Sequence, residues 1–62
     1  ASVGPGIVKK IQASLKQNGF YQGPIDGALG PGTASAIVAF QKKNNLPTGQ
    51  LTIETLKALD VQ

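Results

Sequence analysis

Three carboxylates (Asp26, Glu54 and Asp60), six lysines and one phenol, Tyr21, are the ionisable side chains with which this 62-residue chain could do chemistry. A glycosidase-type carboxylate pair needs a cleft that excludes water and raises one pKa, and a chain of this length has little room for both core and cleft. With no His and no Cys, Ser-His-Asp and Cys-His catalysis are excluded. The usual zinc, copper and iron sites lose their commonest ligands for the same reason. Asp26-Gly27 resembles the start of a calcium loop, which needs oxygen ligands at alternate positions and a Glu at the twelfth. The alternate positions here hold Ala28, Gly30 and Gly32, and the twelfth is Ile37. No catalytic residue, metal site or cofactor is therefore expected.

The glycines after Asp26 are not followed by Gly-Lys-Ser/Thr and lack a βαβ setting, so they do not form a phosphate cradle. A net charge of +3 and a pI near 9.6 invite an anionic partner. Yet the chain has no Arg for bidentate guanine contacts, and the helix that would read DNA opens with Pro, Gly, Ala and Ser. The lysines read better as a solvated face, and nucleic acid is not an expected partner. Asp26 is expected to accept hydrogen bonds from backbone N–H groups of the next turn, organising a loop whose glycines leave donors unpaired. Gln12 and Gln41 sit beside large apolar residues at the edge of a helical stripe, where an amide commonly satisfies an adjacent loop. Tyr21 offers a flat apolar face and a polar tip, suited equally to a ligand platform and to partial burial against the first helix.

The elements that must position these groups read as three helices. Ile7, Val8, Ile11 and Leu15 recur at helical spacing. Asn18-Gly19-Phe20 supplies a stop, because Gly adopts the left-handed conformation cheaply and Phe20 can fold back on the last turn. A second helix begins near Gly30-Pro31-Gly32-Thr33, with Pro at its first position and Thr33 as a cap, and carries Ala36, Ile37 and Phe40 inward. It ends at Asn44-Asn45-Leu46, and Pro47 prevents continuation. Thr52 can cap a short third helix that buries Leu56 and Leu59. Sliding residues 11–26 over 37–52 matches Ile11 with Ile37, Ala13 with Ala39, Lys16 with Lys42, Asn18 with Asn44 and Gly23 with Gly49. The repeated unit is a helix, a stop, an extended turn and the cap of the next helix. Residues 1–6 read as a linker or remnant and residues 7–62 as one domain. No run approaches the roughly 20 apolar residues of a membrane span. The expectation is an all-α three-helix bundle whose long Gly/Pro-rich loop between helices one and two is ordered, pinned to the bundle by Ile25 and Leu29.

The ordered set of Ile11, Gln12 and Leu15, then G-F-Y-x-G-x-I-D-G-x-L-G-x-x-T over residues 19–33, A-I-x-x-F-Q over 36–41, and L-P-T-G-x-L-T-x-x-T-L-x-x-L over 46–59 closely resembles the helical peptidoglycan-binding domain family. The likeness covers residues 7–60. It departs at Leu29, where the family commonly has an aromatic residue, and at Asn45, where Gly is usual. The resemblance implies a non-catalytic module that binds bacterial peptidoglycan, glycan strand or stem peptide, and anchors an attached catalytic or envelope domain to the wall. It further implies export to the periplasm or cell wall, with the export signal outside this chain. The alternative within the same fold is a protein-interaction or prodomain-like module that binds a partner domain. The expected ligand surface lies beside residues 19–33 and the C-terminal half of helix two, with Tyr21, Gln22, Asp26, Gln41, Lys42 and Asn45 as candidate contacts. Among these Tyr21 is the platform and Asp26 is chiefly the loop organiser, while Gln22, Lys42 and Asn45, together with Asn44, supply groups for the N-acetyl amides and stem-peptide carboxylates of the wall.

Overall fold

Proline at the first position of a helix loses nothing, because its missing N–H would have no partner there and its fixed φ is already helical. In the computed structural model, which describes residues 4–61, both long helices start this way. Helix α1 spans Pro5–Gln17 and α2 spans Pro31–Lys43, with Gly4 and Gly30 as their extended N-caps. Helix α1 thus begins two residues inside the stretch read as a linker; residues 1–3 lie outside the described part. Helix α3, Ile53–Ala58, is short, and its cap is the expected one, with Thr52 Oγ1 accepting from the Thr55 N–H at 3.2 Å. Thr33 does not cap α2. It sits at the third helical position and is buried, and Gly30 offers the helix no side-chain acceptor.

All three helices stop by one mechanism. After the C-cap a residue turns left-handed, and the next N–H returns to the carbonyl five residues back. Gly19 (φ +83°), Asn45 (φ +57°) and Asp60 (φ +63°) are the left-handed residues. The returning bonds are Phe20 N–H to Leu15 O at 2.8 Å, Leu46 N–H to Gln41 O at 2.8 Å and Val61 N–H to Leu56 O at 3.0 Å. Phe20, Leu46 and Val61 then each pack against the core, so the device that ends a helix also supplies its lid. The first two stops match expectation. The third does not announce itself, since Asp60 is a less common left-handed residue than Gly or Asn.

The core gathers Val8, Ile11 and Leu15 from α1, Ala36, Ile37 and Phe40 from α2, and Leu56 and Leu59 from the end of the chain, with Tyr21 added from the loop. Phe20 meets Phe40 edge to face, with ring centroids 5.5 Å apart. Ile25 and Leu29 are about half exposed, at 45% and 51%, so apolar burial is not what pins the loop. The helical readings hold, and no strand occurs among the described residues.

A Cβ at Gly19 would meet nothing within 4 Å, so Gly19→Ala isolates the cost of the left-handed backbone. The expected loss is about 1–2 kcal/mol in chemical denaturation, with unchanged helical circular dichroism.

Candidate functional site

The loop between α1 and α2 is held by one buried amide. Gln12 projects from the apolar stripe of α1 and has no exposed surface. Its Oε1 accepts the Gly27 N–H at 2.9 Å, which settles which end of the amide is oxygen. Its Nε2 lies 3.0 Å from Asp26 Oδ1, 3.0 Å from the Ala28 carbonyl, 3.0 Å from Thr33 Oγ1 and 3.4 Å from the Tyr21 hydroxyl. An amide has two N–H donors, so these four acceptors share them. The surrounding groups close the remaining valences. The Tyr21 hydroxyl donates to Pro24 O at 2.7 Å, and the Thr33 hydroxyl donates to Ala28 O at 3.3 Å. No buried side-chain polar atom among the described residues lacks a partner.

Gln41 repeats the arrangement one loop later. It too is wholly buried, donating to Gln50 O at 2.7 Å and to Thr55 Oγ1 at 3.1 Å while Oε1 accepts the Gly49 N–H at 3.3 Å. In both cases a helical Gln binds the N–H of a left-handed loop glycine and the Thr at the third position of the next helix. The expected structural role of both glutamines is the observed one.

Asp26 is exposed, yet its Oδ1 accepts the Ala28 N–H at 3.0 Å as well as the Gln12 amide. The Ala28 N–H first, and then the Gln12 amide, hold its carboxyl below the ordinary carboxylate value. This is the organising role expected of it. Gly23 is required at its position for a different reason: a Cβ there would stand 2.7 Å from the Tyr21 hydroxyl, displacing the bond to Pro24.

The loop so fixed forms one wall of an open groove of about 490 Å³. Phe20, Tyr21 and Ala36 lie in its floor; Gln22, Pro24, Asp26 and Ala28 line the loop side, and Gly30, Gly32, Thr33 and Ser35 line the first turns of α2. Of the expected contact residues the groove collects Tyr21, Gln22 and Asp26. Tyr21 is only 7% exposed and its hydroxyl is committed, so it is floor rather than platform. Gln41 requires correction, because its buried amide is spent on Gln50, Thr55 and Gly49. Lys42 and Asn45 are exposed but do not line this groove. Lys42 instead borders a shallow depression on α2, formed with Ala34, Ser35, Val38 and Ala39, that meets the groove at Ser35. Pro24, Gly32 and Ser35 were not singled out from the sequence as contact residues. Ser35, small and polar one turn into a helix opened by Pro31, was the available signal.

The described residues thus form a three-helix scaffold with an open groove beside the loop, and they hold no grouping of three or more metal-ligating side chains. The family described as "Putative peptidoglycan binding domain" matches residues 5–59. The chain belongs to this peptidoglycan-binding domain family. It is 52% identical over 52 residues to the "Putative OxPP cycle protein OpcA" of Nostoc punctiforme, covering 82% of this chain and 11% of that protein. It is 40% identical over 62 residues to the "Localization factor PodJL" of Caulobacter vibrioides, covering 98% of this chain and 6% of that one. With the "Spore cortex-lytic enzyme" of Bacillus cereus it shares 48% identity over 44 residues, 71% of this chain and 17% of the enzyme. The chain thus spans less than a fifth of each of these relatives. No solved structure matches it significantly.

Gln12→Met keeps the volume of the side chain but strands the Gly27 N–H and removes the donor shared by Asp26 Oδ1, Ala28 O and Thr33 Oγ1. Urea denaturation should show a loss of about 1–3 kcal/mol, with the loop amides exchanging faster with solvent. A lowered carboxyl pKa in the folded state means that the native protein takes up the Asp26 proton less readily than the unfolded chain does. The contribution of Asp26 is then complete above the ordinary carboxylate value and is lost as pH falls through the lowered one. Thermal melts against pH should accordingly show an acid-side decline that is shallower in Asp26→Asn.

Proposed function

We propose that this domain holds an attached envelope protein or hydrolase on bacterial peptidoglycan, and that the groove between the Gln12-fastened loop and α2 is the contact surface. The observation that carries the reading is the pairing of a loop made rigid by a buried amide with a groove left open beside it. Burying a fully satisfied polar network to fix a loop of small residues keeps backbone and amide groups presented in one arrangement, which lowers the ordering cost of binding. Gln22, Asp26 and Ser35 are the contacting side chains, Tyr21 shapes the floor, and Lys42 with Asn45 extends the surface along α2 toward wall carboxylates. The relatives support a portable module. Their names describe an enzyme, a localization factor and a putative OxPP cycle protein, while the shared segment is a small part of each. A place at the cell wall follows for the full-length protein, which must then be exported.

The test is pelleting with purified sacculi beside chitin and cellulose controls. The chain should pellet with sacculi at least tenfold more tightly than with either control and release no soluble muropeptides. Sustained release of fragments by hydrolase-free protein would assign it catalysis, and equal retention on chitin would remove the wall specificity. Failure to pellet at all, with capture by a neighbouring domain of the parent protein, would favour the partner-domain reading.

A further inference from the structure

The chain contains three aromatic rings, Phe20, Tyr21 and Phe40, and no Trp. None of them is fully exposed. Phe40 is 4% exposed, Tyr21 is 7% exposed, and Phe20 is partly buried, its ring perpendicular to that of Phe40. The exposed large apolar side chains are Ile25, Leu29 and Ile53, all aliphatic and branched. A pyranose ring has an apolar C–H face that is best covered by a flat, exposed aromatic surface, and no aromatic ring is among the exposed large apolar side chains of the described residues.

What the groove offers instead suits a peptide. Gly30 and Gly32 let a ligand approach the α2 backbone closely, and the first turn of α2 has neither an acidic residue nor a capping side chain to occupy its N–H groups. The Lys16 ammonium sits at the rim, 3.1 Å from the carbonyl of Gly23, a groove-lining residue. Across from α2 lies the Asp26 carboxylate, whose two hydrogen bonds both fall on Oδ1. Two kinds of acceptor-seeking group and one anion therefore border a single groove about 490 Å³ in volume. That arrangement matches a short chain carrying carboxylates, amides and an amine, and it matches a sugar polymer poorly.

We infer that the groove reads the stem peptide of peptidoglycan rather than its glycan strand, with a peptide carboxylate at the α2 N-terminus and Lys16 and peptide amide or amine donors at Asp26. The inference rests on the wall-binding reading above and specifies its ligand. It is tested by titrating the ¹⁵N-labelled chain with two products of one amidase digestion of sacculi, the freed stem peptides and the stripped glycan strands. Stripped strands retain the lactyl carboxylates of muramic acid, so a preference for peptide cannot arise from negative charge alone. The stem peptide should shift the amides of Gly30, Gly32 and Ser35 saturably and bind at least tenfold more tightly than the strands. Ser35→Glu, at an exposed position near a helix N-terminus where an acid is tolerated, should reduce peptide affinity fivefold or more without lowering the melting temperature. Strands that bind as tightly as peptide, or peptide shifts confined to residues outside the groove, would overturn the inference while leaving wall binding intact. Failure to bind sacculi, strands and peptide alike would overturn the wall-binding reading together with this one.

Discussion

The side-chain amide of Gln12 determines whether the longest irregular segment of this protein has a shape. Residues 21–30 lie between two helices and contain little that can be buried, since Ile25 and Leu29 remain about half in solvent. Apolar contact with the bundle comes from Tyr21 at the start of the segment, and the remainder is held by polar satisfaction. An amide with no exposed surface has lost its water partners, and it regains them only where Gly27, Asp26, Ala28 and Thr33 stand. The penalty for leaving any of these groups unpaired makes the loop's position specific in a way that a few aliphatic contacts would not.

The same economy of means recurs through the molecule. A chain of 62 residues encloses one small core, and each structural device tends to serve two purposes. The helix stops carry Phe20, Leu46 and Val61 onto the core. The threonines at the third positions of α2 and α3 are buried partners for Gln12 and Gln41. The pseudo-repeat is thus a repeat of mechanism more than of sequence. The helix stops recur after 26 residues, at Asn18 and Asn44, whereas the two glutamines are 29 apart and the two threonines 22 apart.

For function, the consequence is a rigid surface with open space beside it. Fixing the loop through Gln12 and Tyr21 uses buried side chains, which leaves Gln22, Asp26 and Ser35 exposed along the groove. Filling the groove with apolar side chains would have stabilised the loop more directly and removed the surface. The family's binding role is consistent with that choice.

The sequence by itself determined the three helices, the stops at Asn18-Gly19 and Asn44-Asn45 and the Thr52 cap, because each of these depends on residues within a few positions of one another, and it determined the family through motifs whose order along the chain is itself sequence. It also showed that Asp26 would bond to the following backbone, a contact spanning two residues. Tertiary structure alone decided that α1 reaches back to Pro5, that Thr33 is a buried partner and not a cap, and that Ile25 and Leu29 stay in solvent. It likewise decided that the Tyr21 hydroxyl and the Gln41 amide are spent on partners within the chain, which leaves Tyr21 in the groove only as part of its lining. The partners of Gln12 lie between 9 and 21 residues away, and those of Gln41 between 8 and 14. A buried amide takes whichever acceptors the folded chain brings within about 3 Å, and composition and periodicity contain no record of that distance.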